Sequence, residues 1–582
     1  MAISKKFFLD KILLIAILCF FPSYSFALIP SDFDCGRDLN LDGLVNACPS
    51  PDEDNDGYAD NVDCDPLNAA VFPGISLQGS GPGTFKTCQS DGTFTPSAPI
   101  STYTCHSGSG STYWVSFDQT DCTGTGTYAS PKDPRCFFDS TKLGYHSPIS
   151  GDCIVHKEGT YGYVFGTTPN KHMAYLSLKS GTFSNPITIT SEPGKLVTYA
   201  SPGVSGDRIV PMYFVGSSYV KVFGNAYQKQ PGFQIVGGYA ESGIWFESSP
   251  NGGVKNVRIA DLDGNCGANN CGGVDIGNGG GSDNVSVENS QFENVYNRAA
   301  PTNNNNANLI IFGSKGTIIK NNTFYYSSNS VGNKHIYIKH STDDGFCDTV
   351  IQNNVFMNGF LNQIDTACGG NTIQANLFYN PGQFPWAFGG GSGNTHFEES
   401  SIIDRNVVVN GPSGELFIPE SNTQSHSFGS VSVTRNLFVD NASSYPNDAG
   451  QGMVRIAHYG DATLSSDISG KISVNNNCYF NTNLQAPLFS YFGNSIGTRT
   501  TNFTVWKGIG FDASSFVKNP LLDTFYRATD PSCSSFGRRF LSEEGPPASP
   551  TPTPSPTPAP SPTPTPSPTP VSIGGGYEPW MM

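Results

Sequence analysis

Between Lys334 and His340 the chain reads Lys-His-Ile-Tyr-Ile-Lys-His, with Asp343 and Asp344 close behind. Amines, imidazoles and a phenol in such proximity can hold an anion and move a proton, which is general acid–base chemistry. In a strand, alternate side chains share a face. Lys334, Ile336, Ile338 and His340 then fall on one side, and His335, Tyr337 and Lys339 on the other. If the isoleucines face a core, the second set forms an outward row able to hold an anion and take up a proton. Two other groups qualify. Asp261-Leu262-Asp263-Gly264 with Asp275 can hold a metal, although Asp-x-Asp-Gly is equally at home in a turn. Glu241, Trp245 and Glu247 offer a sugar platform flanked by carboxylates, although strand packing accounts for Trp245 as well.

A separate set of carboxylates points to Ca2+. Asp52, Asp54, Asp56, Asp60 and Asp63 occupy positions 1, 3, 5, 9 and 12 of a loop, with Gly57 at the sharp turn and the Tyr58 carbonyl at position 7. Asp38, Asn40, Asp42 and Asn46 begin a similar loop, which meets Pro49 where its last ligand belongs. Eleven acidic residues stand against one basic residue, Arg37, from Leu28 to Ile75. Residues 34–74 resemble thrombospondin type 3 repeats, and the resemblance implies structural calcium. The bland alternative is an acidic, solvated linker.

Residues 1–27 read as a secretory signal peptide: Lys5, Lys6 and Lys11 precede the apolar run Ile12–Phe21, and Ser25-Phe26-Ala27 suits cleavage after Ala27. No other apolar run approaches a membrane span. The mature protein is therefore expected outside the cytoplasm, whether extracellular, on the cell surface or periplasmic. In an oxidising compartment the 14 cysteines left after cleavage, eight from Cys35 to Cys153 and six from Cys266 to Cys533, read as disulfides. Cys266 and Cys271 are expected to pair.

The elements that must position these groups follow from composition and repetition. Only 14% of residues are charged and 65 are Gly, with abundant Asn, Ser and Thr, which favours turn-rich β structure. The net charge of −16 argues against nucleic acid as a partner. Six segments share the form aliphatic-x-x-Asn-x-aromatic or aliphatic: Ile319 to Phe324, Ile351 to Phe356, Ile373 to Phe378, Ile403 to Val408, Val433 to Phe438 and Val474 to Tyr479. Their asparagines, Asn322, Asn354, Asn376, Asn406, Asn436 and Asn477, recur at intervals of 22 to 41 residues, and Val287 to Phe292 is a looser copy with Ser290 in that place. Such periods mark solenoids. Short alternating Val/Ile/Phe/Tyr segments make the repeats strands, and coils of ~22 residues with variable insertions suit a right-handed parallel β-helix. Asn serves the turn because it tolerates left-handed backbone and can hydrogen-bond its copy in the next coil.

Residues 146–520 resemble the pectate-lyase-like superfamily. Gly151-Asp152-Cys153-Ile154-Val155, Glu158-Gly159-Thr160-Tyr161 and Asn185-Pro186-Ile187-Thr188-Ile189-Thr190 look like the first coils of the chondroitinase B and alginate lyase group. The expected fold class is all-β, a β-helix over 146–545. Before it come an acidic calcium module (28–75) and a Cys-containing β segment or cap (76–145); after it come a Pro/Thr/Ser linker (546–570) and a short tail (571–582). The tail either presents Tyr577, Pro579 and Trp580 to a cell-surface partner or frays, and fraying is the simpler reading.

In the lyase group a Lys-Ser pair precedes one repeat and an Arg-His-Gly triplet the next. The resemblance gives Lys315 the role of base and Lys339, followed by His340, the Arg role. Here Lys315 is followed by Gly, and Lys339-His340-Ser341 replaces the triplet. Lys339, Lys315, His335 and His340 are thus the candidate catalytic residues for β-elimination on an extended acidic polysaccharide. The rival is a non-catalytic surface, adhesion or carbohydrate-binding protein on a rigid β-helix. No His sits in Gly-His-Gly, and Gly493-Asn494-Ser495-Ile496-Gly497 lacks the following helix that a hydrolase elbow needs.

Overall fold

The computed structural model describes residues 63–537, apart from a number of internal stretches. These belong to one of two compact units, Met1–Glu543; the second, Glu544–Met582, lies outside the described residues, as do the signal segment, the linker and the calcium loops up to Val62.

The chain winds as a right-handed parallel β-helix, its coils contributing strands to three long sheets that hold 12, 12 and 13 strands among the described residues. Val287 of one coil sits beside Val254 of the previous coil and Ile319 of the next, which is the stacking the repeat requires. The aliphatic residue of each repeat points inward from the first sheet, the Asn makes a turn, and the aromatic points inward from the second. Phe292, Phe324, Phe356 and Phe378 stack nearly parallel with centroids 4.8–4.9 Å apart, matching the spacing of neighbouring strands. All four are fully buried. Each contributes ~2–3 kcal/mol by burial alone.

The asparagines form a continuous buried ladder. Asn322 donates its side-chain amide to Asn354 Oδ1 at 3.0 Å, Asn354 to Asn376, Asn376 to Asn406, Asn406 to Asn436 and Asn436 to Asn477, all within 3.1 Å. Ser290 begins the ladder and Ser515 ends it through backbone bonds to their neighbours. The left-handed backbone lies one residue earlier, at Asn321, Asn353, Ala375, Arg405, Arg435 and Asn476, with φ of 53–57°. The ladder Asn is required for its amide; the strained position next to it accepts even Ala and Arg.

The ends are closed. The helix Arg135–Phe138 seats Phe137 and Phe138 on the first coils. The strand Thr112–Val115 pairs in parallel with Cys153–His156, so the stacked sheets begin upstream of residue 146. At the far end Trp506, on the helix Phe503–Gly508, is buried and donates to Asp512, which also accepts from Tyr479 and Asn477. Among the described residues five disulfides join Cys64–Cys88, Cys105–Cys153, Cys122–Cys136, Cys347–Cys368 and Cys478–Cys533. Cys266 lies outside the described residues. Among the described residues no helix is long and apolar enough to cross a membrane.

Candidate functional site

The third sheet has the longest strands, among them Asn170–Ser177, Arg208–Val215, Ser242–Glu247, Cys271–Gly277, Asn306–Phe312 and Lys334–Lys339. Strict alternation fails in it. The amides of both His335 and Ile336 donate to the Gln363 carbonyl at 2.9 Å, the signature of a bulge in which two residues oppose one. Pairing with the previous strand skips the same place: Ala307 is opposite Lys334 and Leu309 opposite Ile336, with no pairing of Asn308 and His335. Gly273 and Gly243 occupy the skipped position in earlier coils, and a Cβ on either would meet core side chains, those of Phe292 and Leu262 respectively. An extra inward residue therefore runs through several coils. Outward positions are spaced three apart before resuming alternation, so Lys334, Tyr337 and Lys339 share the outer face.

That arrangement corrects the expected outward row. His335 points inward and is fully buried. Its ring stacks on Tyr326 at 4.6 Å, its Nε2–H donates to the Asn358 carbonyl at 2.8 Å, and its Nδ1 accepts from the Asn308 amide at 2.7 Å. Burial pulls its pKa down to about 3, so it is a neutral core residue. Lys334, expected on the isoleucine side, instead lies outward.

The three outward side chains form one cluster. Lys334 Nζ lies 3.6 Å, and Lys339 Nζ 4.7 Å, from the Tyr337 ring centroid. Asp365, opposite Tyr337 in the next coil, holds Lys334 at 2.6 Å. Desolvation lowers the pKa of Lys339, the Lys334 charge lowers it further, and Asp365 partly opposes both. Lys339 remains part-exposed. Lys315 sits in the turn three residues after Phe312, which is paired with Lys339, and its amide donates to Asp283 Oδ1 at 2.8 Å. His340, Asp343 and Asp344 lie outside the described residues.

The same face continues toward the N-terminal coils. Tyr175, Tyr213, Trp245, Asp275, Ile310 and Tyr337 follow one another in register, one per coil. Tyr175 and Tyr213 are 5.7 Å apart and Tyr213 and Trp245 4.9 Å, with His172 stacked on Tyr175 at 5.0 Å. The Trp245 indole donates to the Gly277 carbonyl at 3.0 Å, and the Tyr213 hydroxyl donates to Glu247. Glu241, by contrast, is buried at 3% exposure. Asp275 is fully buried, with the Ser242 hydroxyl at 2.5 Å, and burial drives its pKa well up. Gly272 leaves room for that carboxyl, because a Cβ there would meet Asp275 Oδ1 at 2.3 Å.

Among the described residues no three His, Cys, Asp or Glu side chains cluster as metal ligands. Of the expected calcium ligands only Asp63 is described, and it is buried; Asp38, Asn40, Asp42, Asn46, Asp52, Asp54, Asp56, Tyr58 and Asp60 lie outside. Asp261 and Asp263 do not join Asp275 in a described cluster. Sequence reasoning missed Lys334 and Asp365 as partners on the site's face. An inward ring at His335 was legible only through the bulge, which needs the neighbouring coil.

No protein-family model matches the chain, and no curated protein does. Solved structures similar to it include pectate lyase Pel9A, at 15% identity over 63% of this chain and 80% of that one, with a TM-score of 0.36. The PL6 family alginate lyase AlyGC is 15% identical over 68% of this chain, which spans 55% of the AlyGC chain, with a TM-score of 0.36. XylC, solved in complex with xylose, is 10% identical over 71% of this chain and 87% of that one, with a TM-score of 0.41.

Proposed function

We propose that the outer face of the third sheet binds an extended acidic polysaccharide and cleaves it by β-elimination around Lys339. The observation that carries the proposal is the part-exposed Lys339 amine, whose pKa is lowered by burial and by Lys334 on the face shared with Tyr337. A base for a carbon acid needs a neutral amine close to working pH, and this environment moves Lys339 in that direction. In the proposed step Lys339 Nζ takes the proton from the carbon next to the uronate carboxyl. The electron pair forms the ring double bond as the glycosidic oxygen leaves, and Lys315 gives that oxygen a proton. Lys339 is thus preferred over Lys315 as the base, reversing the roles implied by the family resemblance. We infer separately that the acidic loops from Asp38 to Asp63 hold structural Ca2+ and that the chain is exported; terbium luminescence of the mature protein with and without calcium tests the metal.

A binding protein without catalysis is the second reading. It is favoured by the burial of His335, which withdraws one candidate catalytic group from chemistry, and by the ion pair with Asp365 that engages the neighbouring amine of Lys334. The deciding experiment is the ultraviolet absorbance of unsaturated products from alginate, pectate and glycosaminoglycans with the calcium-loaded mature protein. A rise abolished by Lys339→Ala supports the lyase. No rise on any polymer, with the protein folded, overturns it in favour of binding alone.

A further inference from the structure

We infer that the face has a second subsite of opposite chemistry, in which Tyr175, Tyr213 and Trp245 stack against an uncharged pyranose ring and Glu247 accepts its hydroxyls. It deepens the polysaccharide reading: the glycan would carry uncharged sugars alongside its uronates.

Three observations carry this. The three aromatic rings occupy successive outward positions, one per coil, where they are part-exposed rather than packed in the core. An aromatic face offers apolar contact to the C–H face of a pyranose, and fixed rings lose little entropy on binding. Two of these rings are fixed by hydrogen bonds: the indole is tied to the Gly277 carbonyl, and the Tyr213 hydroxyl to Glu247. The second observation is charge. Around Trp245 the outward neighbours Tyr213, Ser242, Glu247 and Asp275 include no cation, and the buried Glu241, which acts electrostatically on both Tyr213 and Asp275, adds a further carboxyl. A uronate here would meet a carboxylate without compensation, whereas a sugar hydroxyl can donate to it. The third is the contrast along one line of register. From Trp245 the column passes Asp275 and Ile310 to Tyr337, where Lys334 and Lys339 flank the ring. The aromatic, hydroxyl-accepting stretch and the cationic one therefore lie on one line of register, with the fully buried Asp275 and Ile310 between them.

The test uses the mature protein and isothermal titration with two sets of hexasaccharides: neutral ones (cello-, xylo-, manno- and N-acetylglucosamine series) and oligouronates (mannuronate, guluronate and galacturonate). At least one neutral hexasaccharide should bind. Trp245→Ala should weaken it tenfold or more, and Glu247→Gln and Tyr213→Phe several-fold. Should Trp245→Ala fail to fold, Glu247→Gln and Tyr213→Phe decide. Binding of no neutral hexasaccharide, or binding insensitive to Glu247 and Tyr213, overturns the subsite. Failure of the uronates alone would instead count against the acidic-polysaccharide reading and leave the aromatic subsite standing.

Discussion

Lys334 and Asp365, on consecutive coils, form an ion pair of 2.6 Å on the same outer face as Lys339, with their side chains 6% and 8% exposed. The pair neutralises one of two ammonium groups around Tyr337 and sets the electrostatics felt by the other. Removing the Asp365 carboxylate leaves Lys334 charged, desolvated and unmatched. Asp365→Ala should cost ~3–5 kcal/mol of stability, measured by denaturant unfolding. An unchanged midpoint would mean that the pair is not buried in solution.

Asp365 also raises the pKa of Lys339 against the two influences that lower it. Asp365→Asn should therefore lower that pKa further. If Lys339 is the base, the rising limb of the pH–rate profile moves to lower pH in this variant. A limb that stays put, with the protein intact, separates Lys339 from the proton transfer.

Three buried histidines predict acid sensitivity. Desolvation takes His156 and His335 down to about 3 and His172 down to about 4, from the usual 6.5. A folded pKa below the unfolded one means that the unfolded chain binds more protons between the two values. Stability is therefore complete above about pH 6.5 and falls as the pH drops toward the folded pKa, by ~1.4 kcal/mol per pH unit for each such histidine. His335→Gln, which can still donate to Asn358 and accept from Asn308, should flatten the slope of unfolding free energy between pH 6 and 4. An equal slope in both proteins would mean that His335 is solvated.

Asp275 works in the opposite sense. Burial raises its folded pKa, so the folded state retains a proton that the unfolded chain loses above about pH 4. Its contribution is fully present below that pH and declines as pH rises. Asp275→Asn should make stability less dependent on pH above 4 and raise the neutral melting temperature relative to wild type. A lower melting temperature at neutral pH would show that the carboxyl is ionised and paired.

The ladder gives a prediction for the fold itself. Asn376→Ala removes amide bonds to Asn406 and the Ile351 carbonyl, and deprives Asn354 of its acceptor. With several buried polar groups left unmatched, the cost should be ~2–4 kcal/mol in equilibrium unfolding. A loss below ~1 kcal/mol would show that the neighbouring amides re-pair around the gap.

The β-helix was legible because its instructions are local and repeated. Each copy states the inward aliphatic, the ladder Asn and the inward aromatic within six residues, as from Ile351 to Phe356, and neighbouring copies state them again. The lysines at 315 and 339 and the platform at Trp245 and Glu247 were also visible as residue types. Which way the site's side chains face was decided only by tertiary structure. Alternation predicts that His335 lies beside Tyr337 and Lys339, yet the bulge is made by the Gln363 carbonyl of the following coil accepting two amides. That bond places His335 in the core and moves Lys334 outward to meet Asp365. A strand's own sequence carries its period but not the register slip imposed by its neighbours. For that reason the sequence by itself determined the solenoid, and the packing of one coil on the next decided which of its charged groups stand together on the outer face.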